Sequence, residues 1–262
     1  MHRFFVRPEL LKETTMSISL PKELAHQVRD VVRLNIGEHL LLLDNSGDEV
    51  LAVVSNSNKA GVEVHLLERR PGGSEPAVHI TLCQGMLKST RFEWILGKAT
   101  ELGVSVFLPI ICRRSMAGLE DTGSSKIQRW RRIIQEAAEQ SGRSRLPQLL
   151  PIRPLAEALA EVTPGALVIM PWEEAQGLTL NEALRTSIRT PDNVGANLAV
   201  PQLHQIPSTV VIFIGPEGGL TSEEVALAQT HGVQIVTLGS RIFRAETAAI
   251  ATVANVLYEF EQ

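Results

Sequence analysis

Two glycine-rich segments near the C-terminal end carry most of the chemistry this chain offers. Gly215-Pro216-Glu217-Gly218-Gly219 follows the apolar run Thr209 to Ile214, and Gly239-Ser240-Arg241-Ile242-Phe243-Arg244-Ala245-Glu246 follows Val233 to Leu238. Glycines let backbone N–H groups come close to a ligand. Loops that leave the carboxyl ends of strands are where open α/β sheets bind their ligands. Three glycines, a proline and a glutamate exceed what a plain turn requires. The charged residues alongside suit proton and charge handling: Glu217 or Glu246 as a general base, and Arg244 as a stabiliser of developing negative charge. The competing assignment pairs Arg244 with Glu246 as a clamp on their own loop.

Familiar alternatives fail on spacing. No GxxxxGK[ST], no GxGxxG opening a first βα unit, no HExxH and no GxSxG is present, so P-loop, standard dinucleotide, zincin and serine-hydrolase chemistry are unsupported. A ligand loop without phosphate-cradling chemistry suits a cofactor gripped by its adenine and ribose, such as S-adenosylmethionine.

The elements that must position these loops follow from periodicity. His2 to Val6 reads as a strand, and Pro21 to Leu34 as a helix with Leu24, Val28 and Val31 on one face. Leu40 to Leu43, Val50 to Val54 and Val62 to Leu67 form a β-meander around two turn-rich tetrapeptides, 44–47 and 58–61. A domain boundary falls in the Pro71 to Pro76 stretch. From Val78 onward, strands alternate with helices, which implies a parallel sheet. Strands are expected at Val78 to Cys83, Val104 to Ile110, Leu149 to Ile152 and Leu167 to Met170. Helices are expected at Arg91 to Leu102, Ser125 to Ser141 and Thr179 to Thr186. The polar stretch 188–208 reads as a flexible connection. Thr221 and Glu224 form a capping-box signature, and a last helix from Thr247 carries Ile250, Val253, Ala254 and Leu257 on one face.

The chain has 262 residues, 44% hydrophobic and 21% charged, with a net charge of −4. That composition excludes general disorder, and apolar runs of about five residues exclude a ~20-residue membrane span. The opening MHRFFVRPEL lacks the apolar stretch of a signal peptide. Cys83 and Cys112 sit in no metal or disulfide spacing, so no metal is expected. These features predict a soluble, cytoplasmic protein. Residues 77–145 hold 11 Lys/Arg against 6 Asp/Glu, whereas residues 146–262 hold 5 against 12. Such a basic middle suits phosphates as well as it suits a solvated helix face.

The chain resembles the RsmE family of bacterial ribosomal RNA methyltransferases, in the SPOUT (trefoil-knot) superfamily. The matching segments are the opening HRFFV, KATELGV at 98–104, EQSGRSRLP at 139–147, GPEGGLTSEE at 215–224 and LGSRIFRAETA at 238–248. The resemblance implies an N-terminal PUA-like β-barrel (1–72) followed by a SPOUT α/β domain (77–262) with a C-terminal trefoil knot at about 205–262. It implies a homodimer that binds S-adenosylmethionine and methylates N3 of one uridine in 16S (small-subunit) ribosomal RNA, free or in the assembled subunit. A SPOUT ribose 2′-O-methyltransferase and a non-catalytic ribosome assembly factor are the alternatives.

Carried over by position, the resemblance assigns cofactor contacts to Ile214, Gly215, Pro216, Glu217, Gly218, Gly219, Leu238, Gly239, Ile242 and Phe243. Met170-Pro171-Trp172 would be a third cofactor loop, and Arg244, Glu246 and Thr247 stand beside the cofactor. Phe243 replaces the family's usual leucine and Ser240 its common proline, which alters the outline of the pocket. RNA contacts fall to Arg3, to Lys88 and Arg91 at the entrance of a helix, to Arg113 and Arg114, and to Arg143 and Arg145. Trp130 lies in the apolar stripe of its helix, which assigns it to the core.

Overall fold

The computed structural model describes residues 1–11, 16–116, 118, 122–188 and 206–261; most of the 188–208 connection lies outside them. The described chain forms two compact units, residues 1–75 with 135–146, and residues 76–134 with 147–262. The EQSGRSRL segment therefore belongs to the first unit, although in sequence it sits well inside the second.

The first unit holds β1 (His2–Phe5), β2 (Ser17–Ser19), α1 (Lys22–His26), β3 (His39–Leu43), β4 (Asp48–Asn58) and β5 (Gly61–Pro71). Its sheet runs β1-β3-β4-β5-β2, with β1 parallel to β3 and every other pairing antiparallel. The meander is closed at one turn by Asn58 Oδ1, which accepts from the N–H groups of Ala60 and Gly61 at 2.7 and 3.3 Å. Phe4, Val28, Leu40, Leu42, Ala52 and Val64 fill the core.

The expected helix over 21–34 is corrected. After five residues it widens into a π turn, Gln27–Val31, in which Val32 N–H bonds back to Gln27 C=O at 2.9 Å. The extra residue per turn rotates the following side chains off the core face. Val28 stays fully buried, whereas Val31 is exposed.

The second unit is a seven-stranded, all-parallel sheet between helices on both faces. It contains β6 (His79–Gly85), α2 (Ser89–Leu102), β7 (Val106–Ile111), α3 (Ser124–Ser141, whose last residues belong to the first unit), β8 (Gln148–Leu149), β9 (Arg153–Pro154) and α4 (Leu155–Ala160). Then follow β10 (Leu167–Pro171), α5 (Leu180–Ser187), β11 (Thr209–Ile214), α6 (Ser222–Thr230), β12 (Gln234–Val236) and α7 (Ala245–Phe260). The order is β12-β10-β11-β6-β7-β8, with β9 also paired to β7.

The two-residue period of the strands sorts their side chains between two cores. Ile80, Leu82, Ile169, Val210 and Ile212 face α2, α5 and α7. Cys83, Val168, Met170, Val211 and Phe213 face α4 and α6. Burial on both faces explains why these strands read as unbroken apolar runs.

Trp130 is fully buried in the first of these cores, its ring centroid 4.5 Å from that of Phe92. On α7 the buried stripe is Ala249, Thr252, Val253, Val256, Leu257 and Phe260. Val253 and Leu257 match the expected face, but Ile250 and Ala254 are only partly buried, because the stripe is turned by about one residue. Both cysteines are buried free thiols, and burial, reinforced by the Glu224 carboxylate, pushes Cys112 up to about 12. Among the described residues no helix is long and apolar enough to cross a membrane.

Candidate cofactor cleft and catalytic residues

Three loops converge at the carboxyl ends of β10, β11 and β12. The order β12-β10-β11 sets β10 between the two strands that carry the glycine-rich loops. Residues 171–173 therefore lie centrally, and Pro171 and Glu173 line two adjoining hollows of about 90 and 200 Å³. Together the hollows approach the lower end of the ~300–1,000 Å³ of ordinary ligand pockets.

One hollow is lined by Trp172, Thr237 and the 238–243 loop, and the other by 214–220 with Arg244 and Ala245. Among the described residues, the N–H groups of Ser240, Arg241, Ile242 and Phe243 have no hydrogen-bond partner. Trp172 Nε1 is buried and equally unpartnered. The buried indole donor lacks the partner that buried polar groups ordinarily have, and with the open, solvent-accessible peptide donors of the loop it fits a heteroaromatic and ribose ligand. The residues present thus suit a nucleoside-type cofactor.

The GPEGG loop is held from several sides. Thr221 and Glu224 form the expected capping box, opening α6. Glu224 also accepts from the Arg113 N–H at 2.8 Å. Arg114 Nη1 donates to the carbonyls of Gly218 and Leu220 at 3.2 and 3.4 Å. Gln84, buried at the end of β6, donates from Nε2 to Gly85 C=O at 3.0 Å and lies 3.5 Å from Gly215 C=O. Gln84 escaped the sequence analysis; its only signal is a polar side chain ending an apolar strand.

Arg91 spans two acidic groups. Its Nη1 lies 3.0 Å from Glu217 Oε1 and its Nε 3.8 Å from Glu246 Oε1. The clamp of Arg244 on Glu246 does not form, because Glu246 is engaged by Arg91. Arg244 is exposed, lines the cleft, and has no side-chain partner among the described residues.

The expected site residues divide accordingly. Ile214, Gly215, Pro216, Glu217, Gly218, Gly219, Leu238, Gly239, Ile242, Phe243, Pro171 and Arg244 line the cleft. Three do not. Met170 is fully buried in the α4–α6 core, because alternation along β10 turns it away from Ile169. Thr247 and Glu246 stand on the first turn of α7 without lining either hollow. Glu173 lines the cleft without having been singled out by its sequence pattern.

The expected RNA contacts divide too. Lys88 and Arg113 are exposed, whereas Arg91 contacts Glu217 and Glu246, and Arg114 the carbonyls of Gly218 and Leu220. In the first unit, Arg3 lies 3.7 Å from Glu49. Arg145 is exposed and packs over Gly47. Arg143 is corrected to a structural role: it is buried, its Nη2 lies 2.7 Å from Glu75 Oε2, and the N–H groups of Ser144 and Arg145 donate to Glu75 Oε1. Removing one partner of such a pair strands a buried charge. Arg143→Ala is therefore expected to cost about 3 kcal/mol of stability in urea unfolding; a loss below about 1 kcal/mol would return Arg143 to the surface set.

Comparison with known proteins defines the class. Residues 74–257 match the RNA methyltransferase domain family, so the class of the chain is an RNA methyltransferase. The chain is 34% identical to ribosomal RNA small subunit methyltransferase E of Synechocystis, over 97% of this chain and 77% of that one. It is 29% identical to the Bacillus subtilis protein of that name, over 100% and 98%. The structure of ribosomal RNA small subunit methyltransferase E from Neisseria gonorrhoeae, bound to S-adenosylmethionine, superposes with a TM-score of 0.80 at 28% identity, covering 97% of this chain and 96% of that one. The chain belongs to the ribosomal RNA small subunit methyltransferase E family.

Proposed function

We propose that this chain methylates N3 of a uridine in small-subunit ribosomal RNA, using S-adenosylmethionine held in the cleft between the β10, β11 and β12 loops. When bound, the cofactor supplies an electrophilic methyl group on a sulfonium centre. The peptide groups of Ser240 to Phe243 and the Trp172 indole would hold its nucleoside part. Glu217 would accept the N3 proton as the new N–CH3 bond forms. Arg244 would stabilise the negative charge that spreads onto the uracil oxygens. Glu246 would act through Arg91, by fixing the guanidinium that orients Glu217.

The observation that carries this reading is the Glu217–Arg91 pair at the cleft. The imide N3–H of uracil is far more acidic than a ribose hydroxyl, so a carboxylate placed at the cleft as proton acceptor suits N3 better than the 2′-oxygen. Lys88, Arg113 and Arg241, all exposed in this unit, would meet RNA phosphates.

The family resemblance further supports a PUA-like barrel for the first unit, a trefoil knot through the α7 end of the second, and a cytoplasmic homodimer acting on the small subunit or its RNA. The exposed aromatic rings Trp94 on α2 and Tyr258 on α7 are consistent with a covered helix face in such a dimer.

The test is methyl transfer from labelled S-adenosylmethionine to small ribosomal subunits that lack native modification, with nucleoside analysis of the product. 3-Methyluridine is the expected product. Label on a ribose would keep the cleft and overturn the N3 assignment, and absence of both incorporation and cofactor binding would favour an assembly factor.

A further inference from the structure

Glu173 is the only charged residue that lines both hollows of the cleft. It stands two residues beyond the end of β10, so the central strand delivers its carboxylate between the two glycine-rich loops. Room for it is made by Gly219: a Cβ there would overlap Glu173 Oε1, and the backbone at Gly219 has φ +73°, which other residues rarely adopt. The backbone conformation favours glycine at 219, and the carboxylate end of the flexible Glu173 side chain lies against it.

That carboxylate has neither a hydrogen bond nor an ion pair among the described residues. Arg114 donates from its Nη1 to the carbonyls of Gly218 and Leu220 and makes no ion pair with Glu173. A carboxylate without an ion pair that reaches both hollows, beside the cleft's other charged side chains Glu217, Arg241 and Arg244, is complementary to a cation on the ligand, and such complementarity sets specificity.

We infer that Glu173 binds a cationic group of the cofactor, its sulfonium or its α-ammonium, and so determines the preference for S-adenosylmethionine over uncharged nucleosides. This rests on the cleft being the cofactor site.

The experiment is calorimetric titration of the full chain with three probes: S-adenosylmethionine, S-adenosylhomocysteine, which keeps only the ammonium, and methylthioadenosine, which carries neither charge. For Glu173→Gln, S-adenosylmethionine is expected to bind about tenfold more weakly, on the scale of one charge-assisted contact, with methylthioadenosine unchanged. Equal weakening of S-adenosylhomocysteine identifies the ammonium, and no weakening of it identifies the sulfonium. Glu174→Gln, exposed and outside both hollows, is expected to match the parent chain.

S-adenosylmethionine binding within twofold of the parent, or equal weakening of all three probes, would overturn the inference while leaving the cleft assignment intact. Failure of the parent chain itself to bind S-adenosylmethionine would overturn both.

Discussion

Arg244→Ala is expected to lower methyl transfer by about 10²–10³-fold, the usual cost of removing one positioned donor from a charge-stabilising site. At ~1.36 kcal/mol per decade, this is about 3–4 kcal/mol of transition-state stabilisation. The fold is expected to survive. Arg244 occupies the N-cap position of α7 without a side-chain cap bond, is exposed, and makes no ion pair among the described residues. Its truncation therefore removes no packing and strands no buried partner. Calorimetry should show unchanged cofactor affinity, since the adjoining peptide groups stay in place, and Arg244→Lys should recover part of the rate by restoring charge without the planar fork. Turnover within threefold of the parent chain would remove Arg244 from the reaction. Loss of cofactor binding in step with turnover would make it a binding residue instead.

Gly85→Ala is expected to damage the cleft from outside it. Gly85 ends β6 opposite Ile110 of β7. A methyl group there would stand 2.5 Å from the Pro216 nitrogen, 2.7 Å from the Gly215 carbonyl carbon and 3.0 Å from the Ile214 oxygen. All three are backbone atoms of the end of β11 and the GPEGG loop that follows it, and none can be turned aside by a rotamer change. Relief requires moving the end of β11 or the loop, and overpacking of this kind costs about 1–3 kcal/mol. Because the loop forms a wall of the cleft, cofactor affinity is expected to fall tenfold or more while the second unit remains folded. Urea unfolding and calorimetry on the same sample separate the two effects. Parent-like affinity would show that the loop can yield without disturbing the cleft.

The sequence by itself determined the local elements and the composition of the two main loops. Thr221 and Glu224 encode a capping box because a hydroxyl and a carboxylate three residues apart satisfy each other's backbone donors. The β-branched run before Gly215 encodes a strand because nothing in it can turn. The same locality explains where the sequence misled: after α1 a single π turn carried Val31 out of the core, and in EQSGRSRLP, where the family resemblance implied an RNA contact, Arg143 is buried on Glu75.

Only the tertiary structure decided which distant segments meet. Strand order is set by non-local pairing, so that β10 lies between β11 and β12 and Glu173 enters the cleft from a segment more than forty residues before GPEGG. The same pairing sets Gly85 against Pro216 and brings Arg91 to Glu217 and Glu246, more than a hundred residues away. Propensity and periodicity act over a few residues, whereas a ligand site is built from side chains that share a sheet edge, and sheet edges are assembled by burial of the whole chain.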